Sequence, residues 1–165
     1  VPVADRLGDE NRGFEYLTSN LAQERQSIAV NAQAATVAAL DCTIETFRAG
    51  SDARRNGGGG SDARGGGNPQ HVKFEIAACA ADVQAGQALV DRAVESHVAG
   101  TLAPADAAAV KLFCTELLGR VADRCLQLHG TEGYRRDARI GREMFLSSCS
   151  PMSWKPRSSL PVIWS

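Results

Sequence analysis

Aromatic side chains are scarce in this sequence, 5% of 165 residues, although 44% of the chain is apolar. Alanine dominates the apolar share, and small aliphatics of good helix propensity favour close helix packing over a β-sandwich. A charge imbalance is missing too: the formal net charge is −1, which gives no electrostatic reason to expect nucleic acid or a membrane surface as partner. No apolar stretch reads as long enough to span a bilayer, and the opening VPVADRLGDENRG lacks a signal-peptide core. That opening has no initiating Met, which suggests a start inside a longer protein. The C-x-x-C pair is absent. The five cysteines, at 42, 79, 114, 125 and 149, are an odd number, which reads as reduced core thiols in a cytosol-like compartment and not as a disulfide framework or zinc site.

Several catalytic patterns are also lacking. Without a Glu-x-x-His pair, a carboxylate-bridged di-iron bundle is disfavoured. The histidines at 71, 97 and 129 are widely separated, so no Ser/His/Asp arrangement can be placed. Cys125 and His129 are four apart and share a helix face, but two ligands without a third point to packing before metal.

What is present is helical periodicity. From residue 14 to about 47 the apolar positions fall at Phe14, Leu17, Leu21, Ile28, Ala32, Ala35 and Ala39. A second run starts at Asn68-Pro69, carries Val72, Ile76, Cys79, Val83, Val90 and Val94, and stops at Gly100. The third starts near Pro104, carries Val110, Phe113, Leu117, Val121, Cys125 and Leu128, and ends at Gly130. Short connections make these antiparallel neighbours. The expected fold is all-α: an up-down bundle of three long helices, with room for a fourth after Asp137.

Two stretches depart from this pattern. Residues 49–68 repeat Gly-Ser-Asp-Ala-Arg and hold no apolar residue larger than alanine, so a flexible insert is expected there. No Gly-Lys-Ser/Thr follows its glycines, and its two aspartates and lack of aromatics argue against a nucleic-acid segment. Residues 145–165 contain three prolines and both tryptophans without any period, and are expected to be an irregular tail. The helical domain is therefore residues 1–144.

Two places in the sequence invite chemistry. Glu24 stands three residues after Leu21 and four before Ile28, on or beside the apolar stripe. A carboxylate in such a place is either a general base or an edge residue paired with Arg25 or another helix. At the far end, CLQLHGTEGYRRD places Gly130 and Gly133 where backbone could come close to another surface, with Gln127 adding an amide. A glycine helix cap explains Gly130 but not Gly133-Tyr134.

Taken together these residues resemble the C-terminal helical domain of the acyl-CoA dehydrogenase family. VPVADRLGDENRGFEYL is similar to that family's V-P-x-x-N-x-L-G-x-x-x-x-G-F, and LAQERQSIA to its L-x-x-E-R-x-x-I-A helix. QHVKFEIA resembles F-Q-x-x-x-F-x-L-A, and AAAVKLFCTELLGRVADRCLQLHGTEGY resembles A-x-x-A-K-x-x-x-x-E followed by Q-L-H-G-G-x-G-Y. The match covers residues 1–48 and 70–142 in order.

The resemblance implies FAD-dependent α,β-dehydrogenation of an acyl-CoA thioester. Glu24 matches the base of isovaleryl- and long-chain-type enzymes, and Arg25 an arginine lining the substrate region. Gln70 matches a cofactor-side glutamine, and Gln127, Leu128, His129, Gly130 and Thr131 the turn that touches FAD of a neighbouring subunit. It also implies a homotetramer passing electrons to an electron-transfer flavoprotein, in bacterial cytoplasm or mitochondrial matrix, with neither nucleic acid nor membrane as partner. Thr131 stands where the family has a second glycine, Glu132 adds a negative charge, and the insert replaces Arg-x-x-Phe-Gly-x-Pro. Segments matching the family's N-terminal helical and central β-domains are not in the sequence. The expectation is a domain inactive by itself; the alternative is a non-catalytic helical assembly module derived from the family.

Overall fold

The computed structural model describes residues 2–55, 69–135, 138, 140 and 141, with the backbone alone for 51–55 and 69. All regular structure among the described residues is helical. A 3₁₀ turn at Val3–Asp5 precedes α1 (Gly13–Ser19), α2 (Leu21–Arg55), α3 (Pro69–Val98) and α4 (Pro104–His129), and a second 3₁₀ turn covers Gly130–Tyr134.

The ends of α3 and α4 follow from local chemistry. After Val98 the chain enters the left-handed region at Gly100, φ +70°. The Gly100 N–H then bonds the His97 carbonyl at 3.0 Å and the Thr101 N–H bonds the Ser96 carbonyl at 2.8 Å, the Schellman pattern of a glycine-ended helix. Pro104 occupies the first turn of α4, where its missing N–H costs nothing. Gly130, φ 61°, closes α4 by donating its N–H to the Gln127 carbonyl.

Two apolar clusters show how the helices run. One joins Ala29 and Ala32 of α2 to Val90 and Ala93 of α3 and to Val110 and Cys114 of α4. The other joins Leu40 and Cys42 to Cys79 and Val83, and to Leu117, Val121 and Cys125. Residue numbers rise together in α2 and α4 and fall in α3, so the bundle runs up, down, up. The α2–α4 pairing is the most extensive. Ala29, Ala32, Ala35 and Ala39, all buried, let the backbones approach closely. Buried Thr36 and Thr43 satisfy their hydroxyls by donating to Ala32 O and Ala39 O, at 2.7 and 2.9 Å.

The expected stripes need three corrections. Cys114, and not Phe113, faces the core of α4, and Ala93 replaces Val94 in α3. On the first stripe Ala32, Ala35 and Ala39 are buried, but Phe14 is 77%, Leu17 70% and Ile28 46% exposed. For Phe14 and Leu17 the reason is length, since α3 and α4 cover α2 only from about Gln26 onward; Ile28 lies beyond that point but off the face that carries buried Ala29 and Ala32. The α2 backbone also stays helical to Arg55, seven residues into the 49–68 stretch. Residues 56–68 and 145–165 lie outside the described residues, as does most of the expected fourth helix; of it, Ile140 is helical and buried in the second cluster.

A fourth correction concerns membranes. The helical stretch Gly13–Gly50 does hold an 18-residue window of mean hydropathy 1.2, long and apolar enough to cross a bilayer. Half of that window is buried inside the protein, as in the core helix of a bundle.

The segment before α1 is held by its own side chains. A Cβ on Gly8, φ +72°, would overlap the Tyr16 ring. The Asp9 N–H donates to the Tyr16 hydroxyl at 3.2 Å, and that hydroxyl donates to the Asp9 carboxylate at 3.3 Å. Arg12 donates twice to one Glu15 oxygen, at 2.9 and 2.7 Å.

Candidate functional site

Glu24 sits in the first turn of α2 with its N–H bonded to the Asn20 carbonyl at 3.0 Å, and its side chain is exposed. Phe14, Leu17, Leu21 and Ile28 precede and follow it at helical spacing, so it does lie on an apolar stripe. That stripe is not the core of the bundle. No element of the described chain packs over it, and the buried face of α2 begins with Gln26 and Ala29 instead. Arg25, next along, is half-buried.

The glycine turn occupies the opposite end. His129 turns inward: its Nε2 lies 3.2 Å from the Thr43 hydroxyl, and its ring meets Phe47 edge-on at 5.9 Å. Burial lowers the His129 pKa and favours neutral imidazole, which suits a tether to α2 more than contact with a ligand. Leu128 is half-buried. Gln127, Gly130 and Thr131 face solvent, and a Cβ on Gly130 would meet open space. The Gln127 amide donates to the Tyr134 hydroxyl at 3.4 Å, and Glu132 pairs with Arg135 at 3.8 Å. Gly133 is needed for a different reason: a Cβ there would come within 2.9 Å of His129 Cβ and 3.3 Å of the Leu126 carbonyl. The second glycine thus lets the turn fold back on α4.

Gln70, exposed in the first turn of α3, lies at this same end, because α3 runs opposite to α4 and Cys79 is level with Cys125. The structure therefore groups Gln70 with the residues from Gln127 to Thr131, and Glu24 with Arg25. It does not bring the two groups together. His129 is level with Thr43, and Thr43 is nineteen residues along α2 from Glu24, a separation of about 28 Å at ~1.5 Å per residue. Sequence reasoning missed Thr43 and Phe47 as anchors of the turn; alternating Thr and apolar residues late in α2 gave no sign of a partner 86 positions away.

Comparison with known proteins decides the family. The acyl-CoA dehydrogenase C-terminal domain matches residues 11–149. The chain belongs to the acyl-CoA dehydrogenase family. It is 33% identical over 134 residues to the mitochondrial long-chain specific acyl-CoA dehydrogenase of Rattus norvegicus, covering 81% of this chain and 29% of that enzyme. It is 25% identical over 142 residues to a caffeyl-CoA reductase-Etf complex subunit of Acetobacterium woodii, covering 86% and 35%. The crystal structure of an acyl-CoA dehydrogenase from Geobacillus kaustophilus superposes with a TM-score of 0.74 at 30% identity, covering 90% of this chain and 38% of that one. The chain thus spans about a third of the length of these relatives, which include both mitochondrial and bacterial proteins. The acyl-CoA dehydrogenase C-terminal domain is an all-helical bundle here as well.

Whether the turn suits a flavin dinucleotide is a matter of its surface groups. The open Gly130 backbone, the Gln127 amide and the Tyr134 hydroxyl form a neutral polar edge. Such an edge fits an uncharged hydrogen-bonding part of the cofactor. It is a poor match for phosphate, since Arg135 is tied to Glu132 beside it.

Proposed function

We propose that this chain supplies the base-bearing helix and one cofactor-facing turn of an FAD-dependent acyl-CoA dehydrogenase. The observation that carries the reading is Glu24: a carboxylate on an apolar face that the rest of the described chain leaves bare. In this role Glu24 takes the proton from the carbon next to the thioester carbonyl, and Arg25 helps line the substrate region. A bound flavin would supply the hydride acceptor for the adjoining carbon. Gln70, Gln127, Leu128, His129, Gly130 and Thr131 hold the cofactor side, with His129 acting through the turn it anchors. A separation of about 28 Å between Glu24 and the turn supports service to centres in different copies, hence a homo-oligomer, a tetramer by family likeness. Electrons would leave to an electron-transfer flavoprotein, and the site of action would be bacterial cytoplasm or mitochondrial matrix.

One observation favours a second reading, a helical assembly module without flavin: Thr131 and the Glu132–Arg135 pair sit where a dinucleotide would approach. A chimera separates the two, with this chain replacing the C-terminal domain of the Geobacillus enzyme. The expected product is yellow and active, and Glu24→Gln keeps its flavin while losing turnover by about 10²–10⁴-fold, the usual contribution of a general base. A colourless tetramer supports the assembly module. Unchanged turnover of the Gln variant moves the base elsewhere.

A further inference from the structure

Thr36 and Thr43 are both fully buried in α2, and each hydroxyl donates to the carbonyl four residues back, at 2.7 and 2.9 Å. Thr43 does one thing more: its oxygen lies 3.2 Å from His129 Nε2 on α4. A hydroxyl carries one proton and two lone pairs. With the Thr43 proton committed to the Ala39 carbonyl, only lone pairs are left to face the imidazole. The bond between the two side chains therefore runs from the ring: Nε2 carries the hydrogen, and Nδ1 of the neutral imidazole carries the lone pair. This arrangement satisfies two hydrogen bonds, where donation from Thr43 to Nε2 would leave one. Phe47 meets the same ring edge-on with centroids 5.9 Å apart, inside the range where aromatic rings attract. Burial favours the uncharged form of the ring.

The effect reaches the turn by packing. Gly133 has no room for a Cβ, which would stand 2.9 Å from His129 Cβ, so the backbone of the turn rests directly on this histidine. The Gly130 N–H is tied to the Gln127 carbonyl at the same place. A change in where His129 sits is passed to Gly133 and, one residue on, to Tyr134, whose hydroxyl receives the Gln127 amide.

We infer that Thr43 is a positioning residue for the cofactor-facing turn: its oxygen accepts from His129 Nε2–H, holds the imidazole in that one tautomer, and so sets where the Gly130–Tyr134 backbone stands. The part played by a cofactor rests on the function proposed above; the tether itself does not. Thr43 acts through His129, from a position 86 residues earlier in the chain.

Two measurements test this, one on the chain alone and one with flavin. In the first, histidine side chains are labelled with ¹⁵N and spectra are recorded at about pH 8, above the ordinary histidine pKa of about 6.5. His71→Gln and His97→Gln assign the signals by elimination. The expected His129 pattern is a pyrrole-type Nε2 bearing a proton that exchanges slowly with water, beside a pyridine-type Nδ1. Thr43→Val should speed that exchange by about 2- to 10-fold, the usual worth of one hydrogen bond, and Thr43→Ser should keep it slow. Thr36→Val removes an equally buried hydroxyl from the same helix and should leave the exchange unchanged, which separates an action through His129 from a loss of packing. A pyridine-type Nε2 in the unaltered chain overturns the inference, and so does equal acceleration in Thr43→Val and Thr36→Val. If Thr43→Val does not fold, the nitrogen type and proton exchange of His129 in the unaltered chain and in Thr43→Ser decide.

In the second measurement the chimera with the Geobacillus enzyme is titrated with FAD. Thr43→Val should raise the FAD Kd by about 2- to 10-fold, with Thr43→Ser and Thr36→Val within about twofold of the parent. A yellow chimera whose Kd does not move in Thr43→Val keeps the proposed function and overturns the positioning role. A colourless parent overturns both, and the exchange data then report the tether alone.

Discussion

Helix α2 behaves differently at its two ends. Between residues 26 and 47 it is walled in by α3 and α4, and most of its buried positions are small, alanine, threonine and cysteine, with Leu40, Gln26 and Gln33 the larger ones. Before residue 26, and on through α1, its apolar positions are large, and several stand in water. Mostly small residues where the chain packs on itself, and bare large ones before that, accord with the proposed role of this end as a surface that other parts of an enzyme cover. An exposed apolar patch of that kind marks an interface.

Breaking the packed half should have the largest effect. Leu117 is fully buried at the centre of the bundle, and Leu117→Ala is expected to cost about 2–5 kcal/mol in chemical denaturation. A cost near zero would mean that the three helices are not cooperatively packed. Gly86→Ala should follow. A Cβ there would overlap Gln33 Oε1 and come within 2.7 Å of Leu117 Cδ2. Overpacking of that sort costs about 1–3 kcal/mol, against the ~1 kcal/mol that alanine gains as a helix former. The net loss should shrink in the Leu117→Ala background, where one of the two obstructions is gone. Stabilisation by Gly86→Ala alone would contradict the close approach of α3 to α2. The smallest effect belongs to the bare half: Phe14→Ser with Leu17→Ser should move stability by no more than about 0.5 kcal/mol. A drop of 2 kcal/mol or more would show that the stripe is covered after all.

The bundle was legible because three runs were amphipathic and two of them were bounded by glycine or proline signals, and Gly100, Pro104 and Gly130 act as those signals suggest. Periodicity could not tell a core stripe from an interface stripe. Phe14, Leu17 and Ile28 have the spacing of a core and lack only a neighbour, and a neighbour is not written in helical spacing. The site was half legible for the same reason. Glu24 drew notice as a charge among apolar residues, whereas the tie of His129 to Thr43 joins positions 86 apart and leaves no local mark. Cys79 and Cys125 were each read as core thiols, and both are buried in one apolar cluster.

Gln33 shows what such a contact does for folding. Its amide donates to the Val83 carbonyl at 2.8 Å, while its oxygen, without a hydrogen-bond partner, presses against the bare backbone of Gly86. Were α3 to slide by one turn, about 5.4 Å, the position facing Gln33 would be Asp82 or Val90, and neither leaves room for that oxygen. A bundle lined with alanine has many nearly equivalent alignments. The pairing of one glutamine with one glycine selects a single register among them, as a key fits one notch.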